Sequence, residues 1–355
     1  MALLFTPLKM GAQTLPNRIC VPPMCCCLAR EGVGSDELIA HYEKLAASGA
    51  GLVVIEATAV RADGRITTRC LGLYNDEQER FFKRLLKACR AVAPAETKFF
   101  LQLSHCGRKG SRKDPKTGHG TLLPEEGGFA LMAPSAVAYT PHAPMPREMT
   151  EADIDQMLQA FEAAAHRAAH VGFDGIQIHA AHGYLVHQFL SPVTNRRTDN
   201  WGGSLQNRQR FALEVVKAVQ RGAPELDVMV RLSACDWMQN GADEEQALSL
   251  ACALAALNIC AVDVSSGGID PAQQPPASLT AAHTLFAHHI KEKARIVTFT
   301  SGGIVEPLQA EEILRSQDAD AVCIGREMIK NPSWVWAAAQ SLGNPVQTPV
   351  FAAAF

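Results

Sequence analysis

The chain has 355 residues, a net charge of −3, 19% charged and 47% hydrophobic residues, a balance that buries a full core in two average domains or one large α/β barrel. A slightly acidic chain has no general electrostatic attraction for nucleic acid or an anionic membrane. No apolar run reaches the roughly 18 residues of a membrane span, and the opening MALLFTPLKMGAQTLPNR lacks the charged start and apolar middle of a secretory signal.

In chain order, short apolar runs alternate with amphipathic segments of helix length. RICV (18–21), GLVVIEA (51–57), KFFLQL (98–103), DGIQIHA (174–180), DVMVRLS (227–233), CAVDVSS (260–266), RIVTFTSG (295–302) and DAVCIG (320–325) read as strands. Most are apolar throughout rather than alternating, the pattern of a parallel sheet covered on both faces. Helices fit between them at 35–48, 76–92, 150–172, 207–220, 243–257, 280–293, 307–315 and 333–340. The clearest starts at Thr150, an N-cap with Asp153 three residues on, carries Ile154, Met157, Phe161, Ala165 and Ala168 on one face and stops at Gly172.

Eight β-then-α units predict a single (β/α)8 TIM barrel over 1–355, with an N-terminal extension and long loops after strands three and four. A doubly wound open sheet is the alternative, weakened by the lack of a G-x-G-x-x-G turn after the first strand. The polar stretch from Ser104 to Thr150 is long enough to need a lid or binding role. Its cluster Arg108, Lys109, Arg112, Lys113 and Lys116 reads as a solvated loop face.

Chemistry in such a barrel gathers at the carboxyl ends of the strands. QIHAAHGYLVHQFL (177–190) brings His179, His182 and Tyr184 to one of them. A metal site, a proton-transfer site and a packed loop all fit that stretch, although no third zinc ligand of matching spacing follows. His187 reads as structural. Gly302, Gly303, Gly325 and Arg326 follow the last two strands and offer free N–H groups and a guanidinium to a phosphate; glycine also simply closes βα turns. Gln102 and Arg231 could read the edge of a planar heterocycle, or Arg231 could pair with Glu56 or Asp263. The run Cys25-Cys26-Cys27 has no second cluster at metal-site spacing. Eleven cysteines without a disulfide-like pattern suit a reducing cytosol, so a cytoplasmic protein is expected.

HAAHGYLVHQFLSPVTNRRTDNWGGSLQNR (179–208) closely resembles the signature of the old yellow enzyme family of FMN-dependent ene-reductases. PNRICVPPMC (16–25), GLVVIEATAVRADGRIT (51–67), LQLSHCGRK (101–109), APSAV (133–137) and IGREMIKNP (324–332) resemble its other blocks in the same order, over nearly the whole chain. The nearest likeness is to the bacterial, thermophilic-type branch, in which a Cys follows the Pro-Met of strand one. The resemblance implies FMN, with NADPH or NADH as hydride donor and a small electrophilic alkene as substrate. It puts Pro23, Met24 and Cys25 against the flavin, Cys25 tuning its potential. Ala59 and Gln102 would meet the pyrimidine edge, Arg231 the N1 side, and Gly302, Gly325 and Arg326 the phosphate. His179 and His182 would hold the substrate carbonyl, and Tyr184 would donate the proton.

Three departures stand out. Cys27 occupies a position where relatives carry Tyr or Trp, which would widen the substrate pocket. The end PVQTPVFAAAF (345–355) lacks the Arg that reaches a neighbouring subunit's site in that branch, so a homo-oligomer without that contact is expected. The 110–130 loop is long and Gly-rich. The main reading is therefore an NAD(P)H-dependent ene-reductase working by a ping-pong mechanism. The alternatives are an FMN-binding redox sensor with Cys25–Cys27 as its oxidisable element, and a flavin-assisted enone isomerase.

Overall fold

The computed structural model describes residues 2–116, 118 and 120–344; the terminal segment behind the oligomer expectation lies outside them. A short hairpin, β1 (Leu8–Met10) and β2 (Gln13–Leu15), precedes eight parallel strands that close on one another: β3 (Ile19–Val21), β4 (Leu52–Ala59), β5 (Lys98–Ser104), β8 (Gly175–Ala180), β9 (Asp227–Ser233), β10 (Ala261–Ser265), β11 (Thr298–Thr300) and β12 (Ala321–Cys323), which pairs back with β3. Two-residue strands β6 (Met132–Ala133) and β7 (Arg147–Glu148) form a small parallel pair in the loop after β5. Around the barrel run α1 (Asp36–Ala46), α2 (Asp76–Val92), α3 (Glu151–Val171), α5 (Leu205–Gly222), α6 (Glu244–Ala255), α7 (Leu279–Ala294), α8 (Pro307–Arg315) and α10 (Trp334–Ser341), with short α4 (Leu185–Leu190) and α9 (Arg326–Lys330) at the strand ends. This is the expected TIM barrel.

Local chemistry explains the boundaries. Thr150 caps α3 through a reciprocal box with Asp153, and Gly172 ends it in the left-handed region at φ 96°. Ser35, Asn75, Ser204, Asp243 and Ser278 cap α1, α2, α5, α6 and α7 with side-chain oxygens. The seventh and eighth strands are shorter than their apolar runs, because Gly302 and Gly303 take positive φ and Gly325 turns into α9.

Two apolar layers result. The larger lies between strands and helices, with Phe81, Phe82, Phe161, Phe189 and Phe211 fully or nearly fully buried. The smaller fills the lower barrel with Cys20, Val54, Phe100, Met229 and Phe299, joined by Leu8, Met10 and Leu15 of the hairpin. The hairpin is held there by Asp227, whose carboxylate accepts from the N–H groups of Ala12 (2.9 Å) and Gln13 (3.1 Å). Gly11 is required at its turn: φ is 58° and a Cβ would meet the Asp227 side chain at 2.2 Å. A filled lower end leaves the upper end for chemistry.

Candidate active site

The end of β8 builds the central group. His179 pairs in register with Arg231 of β9, and its Nδ1 accepts from Ala181 N–H at 3.3 Å, which leaves the proton on Nε2. His182 sits at φ 57°, a left-handed conformation costing about 1–2 kcal/mol for a residue with a Cβ. Three bonds hold it: its N–H donates to Ser233 Oγ (3.0 Å), its carbonyl accepts from Lys109 Nζ (2.6 Å), and its Nε2 shares a 2.7 Å bond with Ser265 Oγ. The His179 ring meets those of His182 and Tyr184 edge-on, with centroids 5.1 Å and 5.0 Å apart. Burial, then the charges of Arg231 and Lys109, push both imidazoles well below their ordinary pKa, so both are neutral at pH 7. Burial drives the Tyr184 phenol the other way, keeping its proton. No hydrogen bond engages the Tyr184 hydroxyl among the described residues. It faces a cavity of about 410 Å³ that Cys25, Cys27, Ile66, Thr67 and Cys70 also line.

The basic cluster is not a solvated face. Arg108 is 1% exposed; it donates to the carbonyls of Val137, Ala138 and Ile269 and pairs with Asp270 at 3.4 Å. Lys109 turns inward to bond His182 O and Gly268 O and stands 5.0 Å from the Tyr184 and Tyr139 ring centroids. Burial, with Arg112 and Arg108 nearby, lowers its ammonium to about 7. A local charge count could not show this, since the partners lie in loops 29 to 162 residues away. Only Lys116 fits the solvated reading.

Below the histidines, a polar chain crosses four strands. Gln102 Nε2 donates to Gln177 Oε1 (2.6 Å), Gln177 Nε2 donates to Asp263 Oδ2 (3.2 Å), and Arg231 Nε lies 3.3 Å from that same oxygen. Arg231 thus does pair with Asp263, one of the two carboxylates expected. Its Nε still lacks hydrogen-bond geometry, and its other contact is a 3.5 Å bond to Ser301 Oγ. A guanidinium 8% exposed is therefore under-satisfied.

Pro23, Met24 and Cys25 follow β3 at the same end. Cys25 is exposed, while the Cys26 N–H donates to Glu56 Oε2 at 2.7 Å. Cys27 adopts φ 55°. Thr67 Oγ1 lies 3.8 Å from Cys27 Sγ and 3.3 Å from Cys70 Sγ, so Cys70 joins the cysteine run, a meeting the sequence did not signal. Hydrogen bonding with Cys25 and burial raise Cys70 to about 12; bonding to Cys70 and burial push Cys27 up further.

Ala59 ends β4 with both backbone groups occupied: its N–H donates to Leu71 O and its carbonyl accepts from Leu73 N–H, each at 2.9 Å. The register shift between Ile55 and Thr58 takes Glu56 and Ala57 out of the regular ladder just before it. At the ends of β11 and β12, Gly302 has φ 105°, and a Cβ there would meet His283 Nδ1 at 2.6 Å. His283, unmarked in the sequence, is buried and bonds Ser301 O and Ser266 Oγ at 2.7 Å each. Gly325 differs: its φ is −94°, and a Cβ would find only Met24 Sδ and Pro22 Cγ at 3.5 Å. The fold itself does not require glycine there. Arg326 beside it is exposed and has no ion pair among the described residues.

Residues 3–344 match the NADH:flavin oxidoreductase / NADH oxidase family. The chain is 40% identical to an NADPH dehydrogenase of Listeria welshimeri over 98% of both chains, and 38% identical to one of a Geobacillus species over 98% of this chain and 97% of the other. Among solved structures, morphinone reductase superposes with a TM-score of 0.79 at 28% identity, covering 98% of this chain and 91% of that one. An old yellow enzyme homologue from Zymomonas mobilis gives 0.78 at 28%, covering 98% and 95%.

Proposed function

The chain belongs to the NADH:flavin oxidoreductase / NADH oxidase family and is an FMN-dependent NAD(P)H oxidoreductase of the old yellow enzyme type, and from that premise we propose that it reduces activated C=C bonds of α,β-unsaturated carbonyl compounds by a ping-pong mechanism. The observation that carries this is the grouping of two neutral imidazoles with a free phenol beside the Cys25 cavity.

The residues present fit FMN. Arg231, whose Nε has no hydrogen-bond partner among the described residues and whose bond to Ser301 is long, would meet the electron-rich edge of the ring. Gln102, fixed by Gln177, would read the neighbouring polar edge. Ala57, at the break in the β4 ladder, suits a backbone contact better than Ala59, which would offer only its methyl group. The vacant Cβ position at Gly325, the left-handed turn at Gly302 and the unpaired Arg326 suit the phosphate. Pro23, Met24 and Cys25 would pack against the ring from the end of β3. When bound, FMN takes a hydride from reduced nicotinamide and gives it to the substrate's β-carbon.

This chain's side chains do the rest. Hydride addition places negative charge on the substrate carbonyl oxygen. His179 would donate to it from Nε2. His182 would donate from Nδ1 when Ser265 Oγ–H donates to Nε2. Neutral imidazoles stabilise that oxygen without losing a proton themselves. Tyr184, kept protonated by burial, would then be the acid that delivers one to the α-carbon.

The sensor alternative is weaker, because two cysteines of the Cys25–Cys27 run are held as thiols, Cys26 by burial and Cys27 by bonding to Cys70, and oxidation proceeds through thiolates; Cys25 alone is exposed. The deciding experiment is an anaerobic absorbance spectrum of the purified protein, followed by NADPH and then 2-cyclohexenone. The flavin band should bleach with NADPH and return with the enone. Bleaching without return sinks the ene-reductase reading; a colourless protein unable to bind added FMN sinks the site assignment too.

A further inference from the structure

We infer that the outer half of the cavity is an oxyanion subsite, formed by Arg112 with Lys113, that selects a reactant carrying a carboxylate or phosphate group. The inference rests on the reading above only in taking this cavity as the place where reactants sit.

The lining is one-sided in charge. Lys109, Arg112 and Lys113 face the cavity with Tyr139, Tyr184, Gly118 and Gly120, and among the described residues no Asp or Glu lines it, although the Asp114 charge is felt at Cys27. The three cations differ in commitment. Lys109 is spent on two backbone carbonyls, and Lys113 reaches Glu126 at 3.3 Å. Arg112 makes an ion pair with nothing among the described residues, although its backbone is fixed by a 2.9 Å bond from its N–H to Ile66 O and by pairing with Thr67 and Thr121. A half-buried, positioned guanidinium with no acceptor among the described residues is ready to bind one, and its fork matches carboxylate or phosphate oxygens. Its charge is felt at Tyr184, Tyr139 and Lys109, which places it within reach of whatever contacts the phenol.

Two reactants could bring the oxyanion: an alkene bearing a carboxylate, or the phosphates of the nicotinamide donor. Binding is measured on oxidised FMN holoenzyme by calorimetry, with 4-oxopentanoate and its methyl ester as the pair. Both are saturated, so neither alkylates the cysteines at the mouth. The wild type should bind the acid roughly tenfold more tightly than the ester, Arg112→Gln should abolish that ratio, and Arg112→Lys should restore part of it. In a second arm, the NADPH-to-NADH ratio for flavin bleaching is compared in the same proteins. Loss of the acid preference assigns the subsite to substrate; loss of the NADPH preference assigns it to the donor's 2′-phosphate. If Arg112→Gln retains bound FMN and changes neither ratio, the subsite does not exist. An Arg112-dependent acid preference in a protein that fails to reduce enones would keep this inference and overturn the proposed reaction; reduction of enones with neither an acid preference nor an NADPH preference that depends on Arg112 would do the reverse.

Discussion

Lys109 Nζ stands 2.6 Å from the carbonyl oxygen of His182 and 2.7 Å from that of Gly268. One half-buried side chain from the loop after β5 thus ties together the loops after β8 and β10. It holds His182 in a backbone conformation that the residue would not choose unaided. Lys109→Met should strand two buried carbonyls and cost about 1–3 kcal/mol of unfolding free energy. With the His182 loop loosened, alkene reduction should slow by roughly ten- to a hundredfold. Chemical denaturation and stopped-flow re-oxidation of the reduced protein would measure the two effects. Loss of stability with an unchanged re-oxidation rate would limit Lys109 to a structural tie.

Tyr184→Phe removes the phenol and leaves the ring packing against His179. Re-oxidation by an enone should slow by roughly 10²–10⁴-fold, while bleaching by NADPH stays near the wild-type rate. Equal slowing of both half-reactions would take Tyr184 out of the proton-donor role.

Gly302 and Gly325 should part company when each is changed to alanine. At Gly302 the positive φ and the close His283 ring make alanine costly to the fold itself, so the apoprotein should melt earlier. At Gly325 alanine meets ordinary contacts only, so the apoprotein should keep its melting temperature and bind FMN at least about tenfold more weakly. Unchanged FMN affinity in Gly325→Ala would argue that the phosphate sits elsewhere.

Glu56 is buried at the break in β4, and burial raises its carboxyl to about 8. Unfolded, it would titrate at its ordinary value of 4.5. Between these values the folded chain binds more protons than the unfolded one, so this group makes stability fall as pH rises through that window. Glu56→Gln keeps an acceptor for the Cys26 N–H and removes the titration. Its unfolding free energy should therefore gain on the wild type's as pH rises from about 6 to about 9, by an amount on the order of a few kcal/mol at the upper end. Parallel pH profiles would show that Glu56 does not titrate in this range.

Cys27 sits where a bulky aromatic is expected from the family resemblance, and its thiol lines the cavity. Cys27→Tyr should narrow the cavity, lowering kcat/KM for ring-substituted enones more than for 2-cyclohexenone. Equal effects on both would show that this position does not set substrate size.

The barrel was legible because most of the parallel strands, covered on both faces, leave largely apolar runs, and because Thr150 and Gly172 mark helix ends chemically. His179, His182 and Tyr184 were legible for a related reason: they lie within six residues at one strand end. What stayed hidden depends on distant partners. Lys109 and Arg108 look like surface charges until the loops at 137–138, 182 and 268–270 fold over them. Cys70 and Thr67 approach Cys27 from some forty residues on, and His283 braces Gly302 from the preceding helix. The hairpin that fills the lower barrel showed only as extra length before Arg18, because its three-residue strands are too short to display a period.

That hairpin also governs traffic. Under the proposed reaction, with Leu8, Met10 and Leu15 closing one end, the donor and the alkene would have to queue at the doorway left at the other. Each would wait for the other to depart, and a crowd of either would block the entrance to both.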